Sequence, residues 1–157
     1  MTTLLRGDSG MAGEFGHVQL DPRGLSCSCG GCGCWETLAS NGAALRYYRQ
    51  RAPQGSAQTF AALLDLAHNE NQDAVAALTE ASIQLGRGIR MIASALAPRE
   101  IVVVGDITAA WEKFGPVIER EMLAPSTLKT PLLRPSPNGG EARLRSAVAL
   151  VLNEGLL

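Results

Sequence analysis

Residues 27 to 36, CSCGGCGCWE, place four thiols, three glycines and a carboxylate in ten positions, and His17 stands ten residues ahead of the first cysteine. Thiolate and imidazole ligands on a tight loop are what a tetrahedral zinc site needs. Five candidates compete for the four places: His17, Cys27, Cys29, Cys32 and Cys34. Gly30, Gly31 and Gly33 let the backbone turn with positive φ, so that neighbouring sulfurs can converge on one ion. An iron–sulfur cluster would also accept four cysteines, but the crowding and the nearby histidine favour zinc. A disulfide framework fits poorly, because cross-links stabilise by closing long loops and these cysteines all lie within eight residues. The other histidine, His68, is isolated near a helix end and reads as surface.

The rest of the chain must hold this loop. With 157 residues, 46% hydrophobic and 18% charged, it is long enough for one domain with a sizeable core. Fourteen basic residues against fifteen acidic ones give a net charge of −1. That leaves no basic stripe to neutralise phosphates, which argues against nucleic acid as a partner of this chain by itself. No apolar run approaches the roughly 18 residues of a membrane span. The start, MTTLLRGDSG, lacks the pattern of a secretory signal. The expected compartment is the cytoplasm, where thiols stay reduced.

Residues 1 to 36 read as a hairpin followed by the zinc loop, with a strand His17–Leu20 in alternation and a turn at Asp21-Pro22-Arg23-Gly24. Residues 37 to 97 read as helical. One helix starts near Trp35, is interrupted at Asn41-Gly42 and ends before Pro53. A short one is capped by Ser56, and a long one runs from about Asn71 to Leu96. In the long helix Ala74, Leu78, Ala81, Leu85, Ile89, Ile92 and Leu96 step by three or four. Gly86 and Gly88 inside it predict the close approach of another backbone, since each costs roughly 1 kcal/mol against alanine. Residues 98 to 157 read as strand–helix elements. A strand Ile101–Val104 buried on both faces leads to a helix from Thr108 to about Met122, kinked by Pro116 and capped by Asp106. An edge strand within Thr127–Arg134 and a final helix Glu141–Asn153 follow. The class is α/β, in one domain, with crossover units.

The stretch AGEFGH…CSCGGCGCWETLAS resembles the signature of the ROK family of repressors and sugar kinases. That signature joins a Glu-x-Gly-His element to Cys-x-Cys-Gly-x-x-Gly-Cys-x-Glu. Glu14 to His17 form the first element here, and Cys27 to Glu36 the second. The resemblance implies zinc held by His17, Cys27, Cys29 and Cys34, with Cys32 as the spare thiol. It implies sugar-facing roles for Glu14, His17 and Glu36, because a carboxylate accepts charge-assisted bonds from sugar hydroxyls. Taken singly, Glu36 would read as an acidic residue complementing a helix N-terminus, and Glu14 as a solvated turn residue.

The family fold is that of the actin-like and hexokinase-like ATPases (ribonuclease H-like), two lobes around a cleft, and the chain matches the C-terminal lobe. The kinases' catalytic Asp, in an Asn-Asp pair of the first lobe, has no counterpart among the 13 residues before Glu14, and no catalytic residue is assigned. The first lobe, its phosphate-binding turn and the repressors' winged helix-turn-helix are expected to be absent. At the end of the 101–104 strand the kinases carry several glycines, whereas this chain has Gly105-Asp106. The resemblance therefore points to the sugar-sensing and dimerisation half of a ROK-type regulator. Such a half would be a homodimer or homotetramer that takes a sugar or sugar phosphate as effector and reaches DNA only through another domain. Two alternatives stand beside it: a fragment of an ATP-dependent sugar kinase, and a free-standing zinc-stabilised interaction module. The apolar surplus in residues 56–97 is compatible with a subunit interface.

Overall fold

Small residues line the inner face of the longest helix and set the spacing of everything packed on it. A computed structural model of the protein describes residues 7–123 and 130–137. Within them the elements run in order: a 3₁₀ turn Phe15–His17, α1 Trp35–Ala39, α2 Asn41–Arg51, α3 Phe60–His68 and α4 Gln72–Leu96. They continue with β1 Glu100–Val103, a 3₁₀ turn Asp106–Ala110, α5 Trp111–Leu123 and β2 Leu132–Pro135. β1 and β2 pair in parallel, Glu100 opposite Leu132 and Val103 opposite Pro135, with α5 as the crossover. This is the α/β crossover unit expected from the pattern.

Helix α4 starts where Asn71 accepts a bond from Ala74 N–H at 2.9 Å and stops at Ala97 in the left-handed region. Its buried positions include Ala74, Ala77, Leu78, Ala81, Gly86 and Ile89. The upper half packs with Tyr48, Phe60, Leu63 and Phe114. The lower half packs with Ile118 and Met122 of α5 and with Val103 and Leu133 of the strands. Many of the alanines and leucines of residues 56–97 are buried in helix–helix packing inside the chain. Both glycines sit at close approaches, but only Gly86 meets another backbone as expected; Gly88 meets a side chain. A Cβ at Gly86 would lie 2.5 Å from the Ile118 carbonyl oxygen and 2.6 Å from Glu121 Cβ, and one at Gly88 would enter the Trp35 indole.

Several expectations are corrected. His17 to Leu20 is no regular strand: His17 ends a 3₁₀ turn, and Gln19 forms only an isolated antiparallel bridge with Cys34. The short residues between Gly13 and Gly24 curl to bring His17 to the loop rather than run straight. The expected interruption at Asn41-Gly42 falls one residue earlier, where Ser40 leaves the helix and caps α2 through Ala43 N–H. The cap of α3 is Thr59, not Ser56, because Ala57 is buried in extended chain ahead of the helix. Among the described residues β1 is covered on one face only. Val103 is buried while Val102 and Val104 stay 41% and 48% exposed, since α4 and α5 both lie on the Val103 side. Asp106 makes no cap. The Gly105 carbonyl accepts from both Thr108 N–H and Thr108 Oγ1, and the Asp106 carboxylate accepts from Asn41 Nδ2 at 2.7 Å. The edge strand is Leu132–Pro135, beginning just after Pro131. The final helix expected over Glu141–Asn153 lies outside the described residues.

The close packing of α4 on α5 makes a testable contrast. Gly86→Ala gains helix propensity but overpacks the α5 backbone, and is expected to destabilise the fold by about 1–2 kcal/mol net. Gly42→Ala, near the open start of α2 where only Ser40 Oγ comes within 4 Å, is expected to stabilise by about 0.5 kcal/mol. Urea unfolding midpoints of the two variants check both signs.

Candidate metal centre

The loop that carries the thiols is folded by its own backbone. Gly33 N–H donates to the Leu25 carbonyl at 2.7 Å, and the Gly33 carbonyl accepts from Leu20 and Asp21 N–H at 2.9 and 3.1 Å. Gly33 holds φ +60°, and a side chain there would collide with the Asp21 carbonyl. Gly30, at φ +91°, closes the turn between Cys27 and Gly31, whose backbones pair through Cys27 N–H at 2.8 Å. These bonds lay Ser26 against Cys32 and Cys34 against Gln19 as antiparallel bridges. Trp35 N–H then donates to the Val18 carbonyl at 2.9 Å, which fixes the His17 turn beside the start of α1.

Four ligand atoms converge as a result. One each from His17, Cys27, Cys29 and Cys34 lies within 4.8 Å of all the others. His17 Nδ1 is 3.5 Å from Cys27 Sγ, and Cys29 Sγ is 3.6 Å from Cys34 Sγ. Tetrahedral zinc, with bonds of roughly 2.3 Å to sulfur and 2.0 Å to nitrogen, would place such neighbours about 3.6–3.8 Å apart. The donor set and its spacing therefore fit a metal ion. Cys32 does not join it. Its thiol turns away to the Pro22 carbonyl at 3.4 Å, and Gln19 Nε2 holds its carbonyl at 2.9 Å.

Burial and charge agree with that assignment. Cys34 is 2% exposed, and this burial, with the neighbouring sulfurs, pushes its thiol up to about 12. A thiolate there calls for a cation beside it. Cys29 is the opposite case: backbone N–H bonding from Gly31 and the neighbouring thiols hold it below the usual thiol value. His17 is raised, first by its hydrogen bond with Cys27 and then by the charges of Glu36 and Glu14. Protons and a metal ion compete for these groups, so binding a cation releases protons.

The two glutamates stand at the edge of the same cluster. Glu36, in the first turn of α1, accepts from Cys27 Sγ at 3.0 Å and lies 3.7 Å from His17 Nδ1. Glu14 Oε2 lies 3.7 Å from the other ring nitrogen, Nε2. The structure thus brings Glu14, His17 and Glu36 together on one rim, 35% to 61% exposed, with the imidazole between two carboxylates. His68 is exposed at the end of α3, apart from this group. Sequence reasoning missed Trp35, whose indole N–H donates to the Gln84 carbonyl at 2.9 Å and anchors the cysteine loop on α4. It also missed the Asn41–Asp106 pair, since nothing local joins residues 65 positions apart. The only signal for Trp35 was the bare glycine opposite it at position 88.

A family model described as the ROK family matches residues 2–154. Among curated relatives, the xylose repressor of Bacillus spizizenii is 36% identical over 104 residues, which is 66% of this chain and 26% of that protein. The glucokinase of Streptomyces coelicolor is 55% identical over 49 residues, 31% of this chain and 16% of the relative. Among solved structures, a ROK family glucokinase from Streptomyces griseus, crystallised with glucose and AMPPNP, superposes with a TM-score of 0.79 at 28% identity. That match covers 89% of this chain and 51% of the other. The chain spans about half of that structure and about a quarter or less of these two curated relatives. No helix among the described residues is long and apolar enough to cross a membrane.

Removing single thiols tests the assignment. Protein purified without chelator is expected to carry one divalent ion per chain by elemental analysis. Cys34→Ser should lose most of it and Cys32→Ser should keep it. Equal loss in both would mean that the loop binds metal through a different set.

Proposed function

The chain belongs to the ROK family, and from that premise we propose that it is the sugar-sensing and dimerisation half of a zinc-stabilised transcriptional regulator. The observation that carries the reading is the shared rim of Glu14, His17 and Glu36 on the four-ligand cluster. Held by His17, Cys27, Cys29 and Cys34, zinc would supply a fixed positive centre that sets the tautomer of the imidazole. With Nδ1 turned to the cluster, His17 is left with Nε2–H as a donor toward the rim. Glu14 and Glu36 flank it as acceptors. Donor between acceptors is the pattern that adjacent sugar hydroxyls answer, each giving one bond and taking another.

Two features favour a regulator over a kinase. The longer of the two relatives' alignments is with a repressor. At the end of β1 the Asp106 carboxylate, engaged by Asn41, occupies the turn where a nucleotide phosphate would need bare backbone N–H groups. The kinase reading is the second one, supported by the 55% identity to a glucokinase over 49 residues. In either reading the sugar is enclosed only with the other lobe of the family fold. The regulator reading places DNA contact in another domain of the parent protein, the subunits in a homodimer or homotetramer, and the whole in the cytoplasm.

Isothermal titration of the two-lobed parent protein with hexoses and amino sugars tests the proposal. Sugar binding is expected, and Glu36→Gln or Glu14→Gln should weaken it by about tenfold or more, the worth of one charge-assisted bond, with metal content unchanged. Light scattering should give at least a dimer. Sugar phosphorylation on adding ATP would replace this reading by the kinase one. Absence of any sugar affinity would leave a zinc-stabilised interaction module.

A further inference from the structure

Glycines separate the thiols of the loop, and its turns decide which sulfurs meet. By spacing alone, Cys29-Gly30-Gly31-Cys32 is a Cys-x-x-Cys run, the arrangement of thiol–disulfide pairs. The fold parts these two residues. Cys32 faces away, its Sγ donating to the Pro22 carbonyl at 3.4 Å and accepting from Gln19 Nε2 at 3.4 Å. Cys29 meets Cys34 instead, Sγ to Sγ at 3.6 Å. The two differ in access, Cys29 being exposed and Cys34 buried. Gly31 runs alongside both sulfurs, so that a Cβ there would stand 3.5 Å from one and 3.6 Å from the other. Cys27 is engaged elsewhere, donating to Glu36 Oε1 at 3.0 Å beside His17 Nδ1.

We propose that Cys29 and Cys34 are a reversible redox pair, oxidised by hydroperoxides to a disulfide that excludes metal from the loop. The exposed Cys29 sulfur attacks the outer oxygen of a hydroperoxide. The O–O bond breaks, the thiol proton leaves with the alcohol or water, and Cys29 becomes a sulfenic acid. The Cys34 sulfur then attacks the Cys29 sulfur. The S–O bond breaks, and the departing oxygen takes the Cys34 proton and leaves as water. Two thiols lose a pair of electrons and one hydroperoxide gains it. Burial shields Cys34 from the oxidant while keeping its sulfur beside Cys29. The bond closes a loop of only a few residues, which constrains the unfolded chain little, so an added thiol reduces it again. With both sulfurs in the disulfide, His17 and Cys27 are the donors left of the four, too few for a closed tetrahedral site. That consequence rests on the proposed zinc site; the disulfide itself does not.

The test treats the reduced 157-residue chain with hydrogen peroxide, caps the free thiols, then reduces the protein and labels the thiols that had been oxidised. Fragmentation of the tryptic peptide Gly24–Arg46, which holds all four cysteines, reads the label position by position. Label is expected at Cys29 and Cys34 alone, with bound metal released to a zinc-sensitive dye, and dithiothreitol should restore both thiols. Cys32→Ser should form the same bond and keep the parent's metal content before oxidation. Cys29→Ser should leave Cys34 in the thiol form, whether or not that variant binds metal. Label at Cys29 and Cys32, irreversible oxidation of Cys29 with Cys34 untouched, or metal kept by the oxidised chain would each overturn the proposal. Formation of the bond in a chain that carries no metal as purified would support the pair and count against the zinc site.

Discussion

A single buried sulfur ties the chemistry of this protein to its architecture. Cys34 is a member of the four-ligand cluster, the bridge partner of Gln19 and the residue that caps the first helix. Its carbonyl accepts from both Thr37 N–H and Thr37 Oγ1, so α1 begins where the cluster ends. Because Glu36 lies two residues on, its carboxylate can face back onto Cys27 and His17. Burial makes a lone thiolate at Cys34 unfavourable. The buried sulfur and the rim carboxylates thus meet in one group of four residues that could hold a metal ion.

The cluster is fastened to the helical layer by one aromatic side chain. Trp35 lies over Gly88 and donates its indole N–H to the Gln84 carbonyl of α4. A large flat side chain can sit that close to a helix backbone only where the helix has no Cβ. The helix gives up propensity at Gly88 to seat the loop, and at Gly86 to seat α5. These paired concessions let α4 carry the cysteine loop beside one part of its length and the α5 and strand layer beside another.

Much of this was readable from residue types. The ligand chemistry followed from thiols and imidazole crowded on glycines. The position of α4 followed from its apolar period, and the close approaches at Gly86 and Gly88 from glycines kept inside a strong helix. The errors have a common cause. His17–Leu20 alternates like a strand, yet backbone bonds to Gly33 and Trp35 bend it into a turn and a single bridge. Val102 and Val104 read as buried from their types, but among the described residues only one face of β1 is covered. Asp106 read as a cap from its neighbours, and was taken by Asn41 from another part of the chain.

By itself the sequence determined which atoms could bind a metal, which helix would be longest, and that its two inner glycines must face something close. Those are consequences of side-chain chemistry and local backbone preference, which act within a few residues. Only the tertiary structure decided that Cys32 turns to Pro22 while Cys29 and Cys34 meet, that both glutamates reach the same imidazole, and that the Ser82 hydroxyl is buried without a partner among the described residues. Such outcomes depend on where distant segments come to rest, and an alternating pattern or a ligand spacing carries no information about partners 13 or 65 residues away.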